Sequence, residues 1–289
     1  MKIKVLILGS TGMIGHQVYN YLNNMNTYEL SNISFRKKLN SDTILKNARN
    51  ETEITQAIKN IDPDYVVNCI GVLIRGSNDD LENAIFVNAY LPHLLKRICT
   101  SINAVLIHMS TDCVFSGQKQ GPYNEMDQKD GVGNYAITKA LGEIDCDEHL
   151  TIRTSVVGPE LKNSGEALFH WFMNQSDSIN GYTKSIWSGV TTYELAKVID
   201  IAINKNITGL HHITNGRPIT KYELLNLFKK YTMKDITIIP LSAQHIDKSF
   251  RDNRGDLKHT IPIYENMIKE MMDQIINNPD LYTQYTIGK

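Results

Sequence analysis

The sequence predicts an α/β protein, a doubly wound parallel sheet with a smaller C-terminal lobe. Two observations carry this expectation. Short β-rich runs alternate with longer amphipathic stretches through the first 150 residues, and three glycines fall between the first such run and the helix after it. Strand, helix and strand repeated in this order give parallel strands joined by right-handed crossovers, with helices on both faces.

Taken in order, the first strand is IKVLIL at 3–8, followed by an amphipathic stretch from Met13 to Leu22 and a second strand, LSNISF, at 30–35. A helix near 51–60 leads into the strand DYVVNCI at 64–70, a long helix runs from Asp80 to Thr100, and AVLIHMS at 104–110 is the next strand. GNYAITKALGE at 133–143 has the pattern of a helix. Beyond Leu150 the alternation loosens into a strand (LTIRTSVV), a helix (TTYELAKVIDIAIN), a strand (GLHHIT) and another helix (TKYELLNLFKKY). The expected division is a nucleotide-binding domain over 1–155 and a substrate-binding lobe over 156–289, with some strands of the second part returning to the main sheet. There is no internal repeat, low-complexity run or Pro/Gly-rich linker.

With 289 residues the chain is long enough to bury a full core. Its 42% hydrophobic content, 21% charged content and net charge of −1 leave no electrostatic excess for nucleic acid or an anionic membrane. Small molecules and copies of the chain itself are the expected partners. The apolar run Val5 to Leu8 is far short of the roughly 20 residues a membrane span needs and lacks a signal-peptide cleavage region. Cys69, Cys99, Cys113 and Cys146 lie 30, 14 and 33 apart with no CxxC pair, which suggests neither a disulfide framework nor a zinc site and makes a reducing cytoplasm the default compartment. No metal is assigned, because His211 and His212 are adjacent in a strand and face opposite sides.

LGSTGMIG spaces Gly9, Gly12 and Gly15 three apart, where a standard dinucleotide fingerprint reads GxGxxG. Glycine here allows a tight turn, close approach of backbone to a pyrophosphate and tight helix packing, and the phosphates meet the positive helix N-terminus. This makes the fold Rossmann-like, with Thr11, Met13 and Ile14 completing the cofactor cradle. The second strand is followed by Arg36, Lys37 and Lys38 with no acid, which favours a 2′-phosphate and hence NADPH, with NADH as the alternative; Arg36 comes first and can fork onto phosphate. VVNCIG ends the third long strand in the turn-like tail Cys69, Ile70 and Gly71, which is expected to line the cofactor crevice, and Asn88 is either a helix-packing amide or a brace for that loop.

Tyr135 and Lys139 stand four apart and share a helix face. A free tyrosine has a pKa near ~10. A nearby ammonium and an oxidised nicotinamide stabilise the phenolate, lower that value and make the phenol usable in acid–base work. Ser110 and Thr111, at the end of the strand AVLIHMS, each offer a hydroxyl for a substrate carbonyl. A YxxxK pair alone is common on helix surfaces; together with the glycine loop and that hydroxyl it reads as chemistry.

These residues resemble the extended short-chain dehydrogenase/reductases, and within them the dTDP-4-dehydrorhamnose reductases that act on nucleotide sugars. STDCVFSG, GPYNEMD and NYAITKALGE resemble the family's STDYVFDG, PYxExD and YGxTKxxGE. PDYVVNCIG, VNAYLPHLL, IRTSVVG, WSGVTTYELAKVI and GLHHITNGRPITKYELLNLF continue the likeness from about residue 3 to 230. The resemblance implies Tyr135 as proton donor, Lys139 as the residue that tunes it and binds the nicotinamide ribose, and Thr111 as the hydroxyl on the substrate oxygen, with Ser110 the second choice. It further implies NADPH-dependent reduction of the 4-keto group of a nucleotide-activated deoxysugar in surface polysaccharide or deoxysugar biosynthesis, and a homodimer. Asp112, Val114, Val156 and Trp187 are the expected substrate contacts. Val156 stands where the family has tryptophan, which alters the pocket wall, and Asn47 replaces an expected acid near the adenine.

Trp171 and Trp187 otherwise read as packing residues, and Arg251 and Arg254 as partners of a substrate diphosphate or as plain loop ion pairs. Two other readings stay open: a nucleotide-sugar epimerase or dehydratase of the same superfamily, and a non-catalytic, cofactor-binding regulatory subunit.

Overall fold

The structure is a computed structural model that describes residues 2–119, 121–243 and 245–287. Its first half runs β1 (Ile3–Leu8), α1 (Met13–Met25), β2 (Tyr28–Ser34), β3 (Ile44–Leu45), α2 (Glu51–Ile61), β4 (Tyr65–Asn68), α3 (Ile74–Asp79), α4 (Leu81–Ala84), a π-helical segment (Ile85–Tyr90), α5 (Leu91–Ser101), β5 (Val105–Ser110) and α6 (Asn134–Leu141). The second half runs β6 (Leu150–Arg153), β7 (Val156–Val157), α7 (Leu168–Met173), β8 (Ser178–Tyr182), β9 (Ser185–Trp187), β10 (Val190–Thr191), α8 (Thr192–Lys205), β11 (Gly209–His212), β12 (Ile219–Thr220), α9 (Lys221–Thr232), β13 (Thr237–Leu241), β14 (Ile246–Asp247) and α10 (Tyr264–Ile276).

Seven strands form one sheet in the order β11-β6-β5-β4-β1-β2-β3, and every pairing in it is parallel. The apolar run of β1 is explained by burial on both faces. Val5 and Ile7 join the core on the α1, α8 and α10 side, whereas Leu6 and Leu8 join the core on the α2 and α5 side. The same alternation sends Tyr65 and Val67 of β4 to one core and Val66 to the other. The Tyr28 phenol bonds Asp200 of α8, which ties the second half of the chain to β2.

The remaining strands form small sheets, β10-β7, β12-β9-β14 and β13-β8. Phe169 and Phe172 of α7 meet Phe228 of α9 edge-on or tilted in this part of the core. Two expected elements differ. The helix expected from Asp80 to Thr100 starts at Leu81 with Asp80 as its N-cap, is preceded by the separate short α3, and passes through a π-helical turn at Ile85–Tyr90; Pro92 has no N–H to bond the Asn88 carbonyl in the α pattern, so the turn widens there. LTIRTSVV is split into β6 and β7, and β7 leaves the main sheet to pair with β10. Among the described residues no helix is long and apolar enough to cross a membrane.

Candidate active site

The C-terminal ends of β1, β4 and β5 open on one edge of the sheet, where the strand order reverses between β1 and β4. The glycine loop lies there. Gly9 has φ +78°, and a Cβ on it would come within 3.1 Å of the Cys69 and Ile70 backbone. A Cβ on Gly15 would lie 2.2 Å from the Gly9 carbonyl oxygen, so no other residue fits without moving the loop. Gly12 is the N-cap of α1 and provides no side-chain cap, leaving first-turn N–H groups beside Thr11, Met13 and Ile14 free for an anion. The residues present therefore fit a dinucleotide pyrophosphate. Beneath the loop, buried His16 bonds the Gly12 carbonyl through Nδ1 at 2.7 Å, and burial pulls its pKa down to about 4.

Arg36 is exposed after β2, its guanidinium 5.0 Å from the centre of the Phe35 ring. It makes no ion pair among the described residues, which suits a 2′-phosphate. Ile70 donates its N–H to Asn68 at 3.2 Å, shaping the Cys69–Gly71 turn. Asn88 proves to be the brace: its side chain accepts from Val72 N–H and donates to Val72 C=O, both at 2.9 Å, and reaches the Thr138 hydroxyl at 3.3 Å. It thus joins the crevice loop to α6, and Gly142 lets the two helices approach, since a Cβ there would sit 1.9 Å from the Asn88 carbonyl oxygen.

Thr111, Tyr135 and Lys139 converge beside the loop. Thr111 lies beside the Tyr135 phenol; its hydroxyl donates to Asp112 at 3.1 Å, and its Oγ1 accepts from Cys113 N–H at 3.1 Å. Lys139 Nζ is buried and donates to the Met109 carbonyl at 2.6 Å. Burial lowers its pKa to about 8 while Glu143 acts in the opposite sense. Tyr135 departs from expectation: burial and the neighbouring Cys113, Asp112 and Glu166 raise its pKa above the ordinary phenol value, whereas the expected effect of Lys139 was to lower it. The phenol is therefore protonated at neutral pH, in the form that can donate.

Ser110, the second choice for the substrate hydroxyl, is already engaged. It donates to Glu143 at 2.6 Å, and Glu143 receives two bonds of 2.7 Å from Arg153. Burial pushes the Glu143 pKa up, but the Arg153 guanidinium, the Ser110 hydroxyl and Lys129 hold it below the usual carboxylate range. This buried ion pair ties α6 to β5 and β6 and was not foreseen. The available signal was a lone arginine ending the buried strand LTIR and a glutamate one turn beyond Lys139.

The substrate-side expectations divide. Asp112 is buried beside Thr111 and Val156 is half-buried in β7, paired with Val190, but Val114 is fully buried with Phe115, Tyr123 and Phe250, because the short 3₁₀ turn at Asp112–Val114 rotates it into that cluster. Trp187 is buried; its indole N–H donates to Ser155 Oγ at 2.7 Å and its ring packs on Tyr264. Arg254 bonds Asp256 at 3.0 Å at the start of β11, the plain loop ion pair. Arg251 instead lines a cleft of about 410 Å³ past the other end of β11, with Thr214, Asn215, Phe250 and His259.

The chain matches the family model described as the RmlD substrate binding domain over residues 2–260. It is 25% identical over 247 residues to the spore coat polysaccharide biosynthesis protein SpsK of Bacillus subtilis, covering 83% of each chain. It is 25% identical over 232 residues to the dTDP-4-dehydrorhamnose reductase of Escherichia coli, covering 76% of this chain and 75% of that one. Its fold is shared with a dTDP-4-dehydrorhamnose reductase of Bacillus anthracis in complex with NADP (TM-score 0.79, 20% identity, 94% of this chain and 99% of that one). It is shared equally with a Thermotoga maritima UDP-glucose 4-epimerase (TM-score 0.79, 19% identity, 96% and 99%). With its glycine loop and its Thr111, Tyr135 and Lys139 cleft, the chain belongs to the RmlD substrate binding domain family.

Proposed function

We propose that the chain is an NADPH-dependent reductase of the 4-keto group of a nucleotide-activated deoxysugar, serving surface polysaccharide or deoxysugar biosynthesis. The observation that carries this reading is the placing of Thr111 beside the Tyr135 phenol, with Lys139 buried one helical turn on. The relatives named as reductases and as a polysaccharide biosynthesis protein support the substrate class. When bound, NADPH supplies the hydride. The glycine loop and the start of α1 hold its pyrophosphate, Arg36 its 2′-phosphate, and Lys139 its nicotinamide ribose.

Thr111 orients the keto oxygen by a hydrogen bond. Tyr135, kept protonated by its surroundings, gives its phenolic proton to the alkoxide as it forms, and the Lys139 ammonium then stabilises the phenolate left behind. Asp112 and Val156 border the sugar, and Arg251, which lines the cleft beyond β11, meets the diphosphate.

The chain works in the cytoplasm, in keeping with four free cysteines. It pairs as a homodimer through exposed Leu81, Ile85, Ile137 and Leu141, whose helices pack side by side; light scattering should give twice the chain mass. Purified protein mixed with NADPH and a nucleotide-4-keto-6-deoxyhexose should consume the reduced-nicotinamide absorbance. Cofactor binding without turnover of any such sugar would refute the reading, and tightly held NAD with no net oxidation would point to an epimerase.

A further inference from the structure

Asn68 of β4 and His108 of β5 are partners in the sheet register, and both are fully buried. Asn68 Nδ2 lies 3.1 Å from His108 Nδ1, and Asn68 Oδ1 accepts from the Ile70 N–H at 3.2 Å. These two bonds fix the state of the ring. A backbone N–H can only donate, so the carboxamide oxygen must face Ile70 and its nitrogen must face His108. That nitrogen donates and never accepts, so His108 Nδ1 is bare and the ring hydrogen sits on Nε2. Burial, with Lys139 and His93 nearby, acts in the same direction, lowering the His108 pKa well below its ordinary value and keeping the ring neutral.

His108 Nε2 is buried and meets no hydrogen-bond partner among the described residues, so the link to Asn68 is the only one the ring makes there. A buried polar group left unsatisfied costs about 1–3 kcal/mol, a cost that a hydrocarbon side chain would not incur. What the histidine adds is the orientation of the Asn68 carboxamide. That carboxamide shapes the Cys69–Gly71 turn where it meets the glycine loop: a Cβ on Gly9 would come 3.1 Å from the Ile70 nitrogen, the atom that Asn68 holds. The far end of the turn has its own brace, since Asn88 bonds both backbone groups of Val72. The near end depends on Asn68 and, through it, on His108.

We propose that His108 is a positioning residue for the dinucleotide: its bare Nδ1 locks the Asn68 carboxamide, and with it the Ile70 end of the turn, in the shape that the glycine loop needs to receive the cofactor. This rests on the cofactor part of the reductase reading. Without the acceptor the carboxamide is free to turn over, which sets its N–H groups against the Ile70 N–H and opens the turn.

The ring and the cofactor are read separately, on the full chain. Long-range nitrogen–proton NMR of histidine-labelled protein without cofactor should show a bare Nδ1 and a hydrogen on Nε2 at neutral pH, the His108 signal being the one lost in His108→Asn. NADPH titration should show about tenfold weaker binding in His108→Leu, which fills space but offers no acceptor. Binding should return close to wild type in His108→Asn, whose Oδ1 takes the place of Nδ1; a histidine that only packs would not be rescued by this smaller side chain. A hydrogen on Nδ1, binding in His108→Leu within about twofold of wild type, or equal losses in both variants would overturn the proposal. Should His108→Leu fail to fold, a hydrogen on Nδ1 or about tenfold weaker binding in His108→Asn still overturns it. A wild-type chain that binds no NADPH overturns the cofactor reading and this proposal with it, and the wild-type titration tells that outcome from a failure of His108 alone.

Discussion

The glycine loop and the Thr111–Tyr135 cleft lie side by side on one edge of the sheet and are held by different means. At the loop, backbone meets backbone so closely that a Cβ on Gly15 would lie 2.2 Å from the Gly9 carbonyl oxygen. At the cleft, charged side chains are buried beneath the reacting groups, and the Ser110, Glu143 and Arg153 network carries α6 on β5 and β6. The proposed cofactor end is thus specified by the absence of side chains and the proposed chemical end by their pairing.

That contrast can be broken from either side. Arg153→Met leaves buried Glu143 with only the half-exposed Lys129, 3.2 Å away, as its counter-charge, so it should cost about 3 kcal/mol in denaturant unfolding. The sign of the pH dependence follows from the depressed Glu143 pKa: the stabilisation is present above the ordinary carboxylate pKa and is lost as pH falls through the lowered one. The variant should accordingly show a flatter acid limb, and retention of wild-type stability would mean that the ion pair does not hold the cleft.

Gly15→Ala attacks the other end. Its added carbon must displace the Gly9 carbonyl, at about 1–3 kcal/mol of overpacking, and NADPH binding should fail in a fluorescence titration while the variant remains folded. Normal binding would show that the loop is not the cradle. Arg36→Ala removes the one side chain assigned to the 2′-phosphate and should cost about tenfold in NADPH affinity, with NADH affinity unchanged. An equal loss for both cofactors would remove that assignment.

The two ends also differ in how far the sequence disclosed them. Gly9, Gly12 and Gly15 were legible because the constraint is local, a strand, a turn and a helix in consecutive residues. The seven-stranded parallel sheet followed from the same short-range alternation. Tyr135 and Lys139 were legible as a pair through helix spacing, yet the raised phenol pKa was not, because it depends on Cys113, Asp112 and Glu166 gathered from other segments.

Choosing Thr111 over Ser110 needed the partner of Ser110, and Glu143 lies 33 residues away. Asn88 could be read as a brace or as a packing amide until the π-helical turn set it against Val72 and Thr138. Val114 was misplaced because a single 3₁₀ turn decides whether it faces cleft or core.

The proton-donor assignment of Tyr135 is the centre of this account, and a paired measurement on Tyr135→Phe tests it most directly: NADPH affinity by titration and turnover of a nucleotide-4-keto-6-deoxyhexose by loss of reduced-nicotinamide absorbance. Removing one hydroxyl that no proposed cofactor contact uses should leave the affinity within about twofold and lower turnover by about 10²–10⁴-fold. Turnover within about tenfold of wild type, or affinity and turnover falling together, would contradict it.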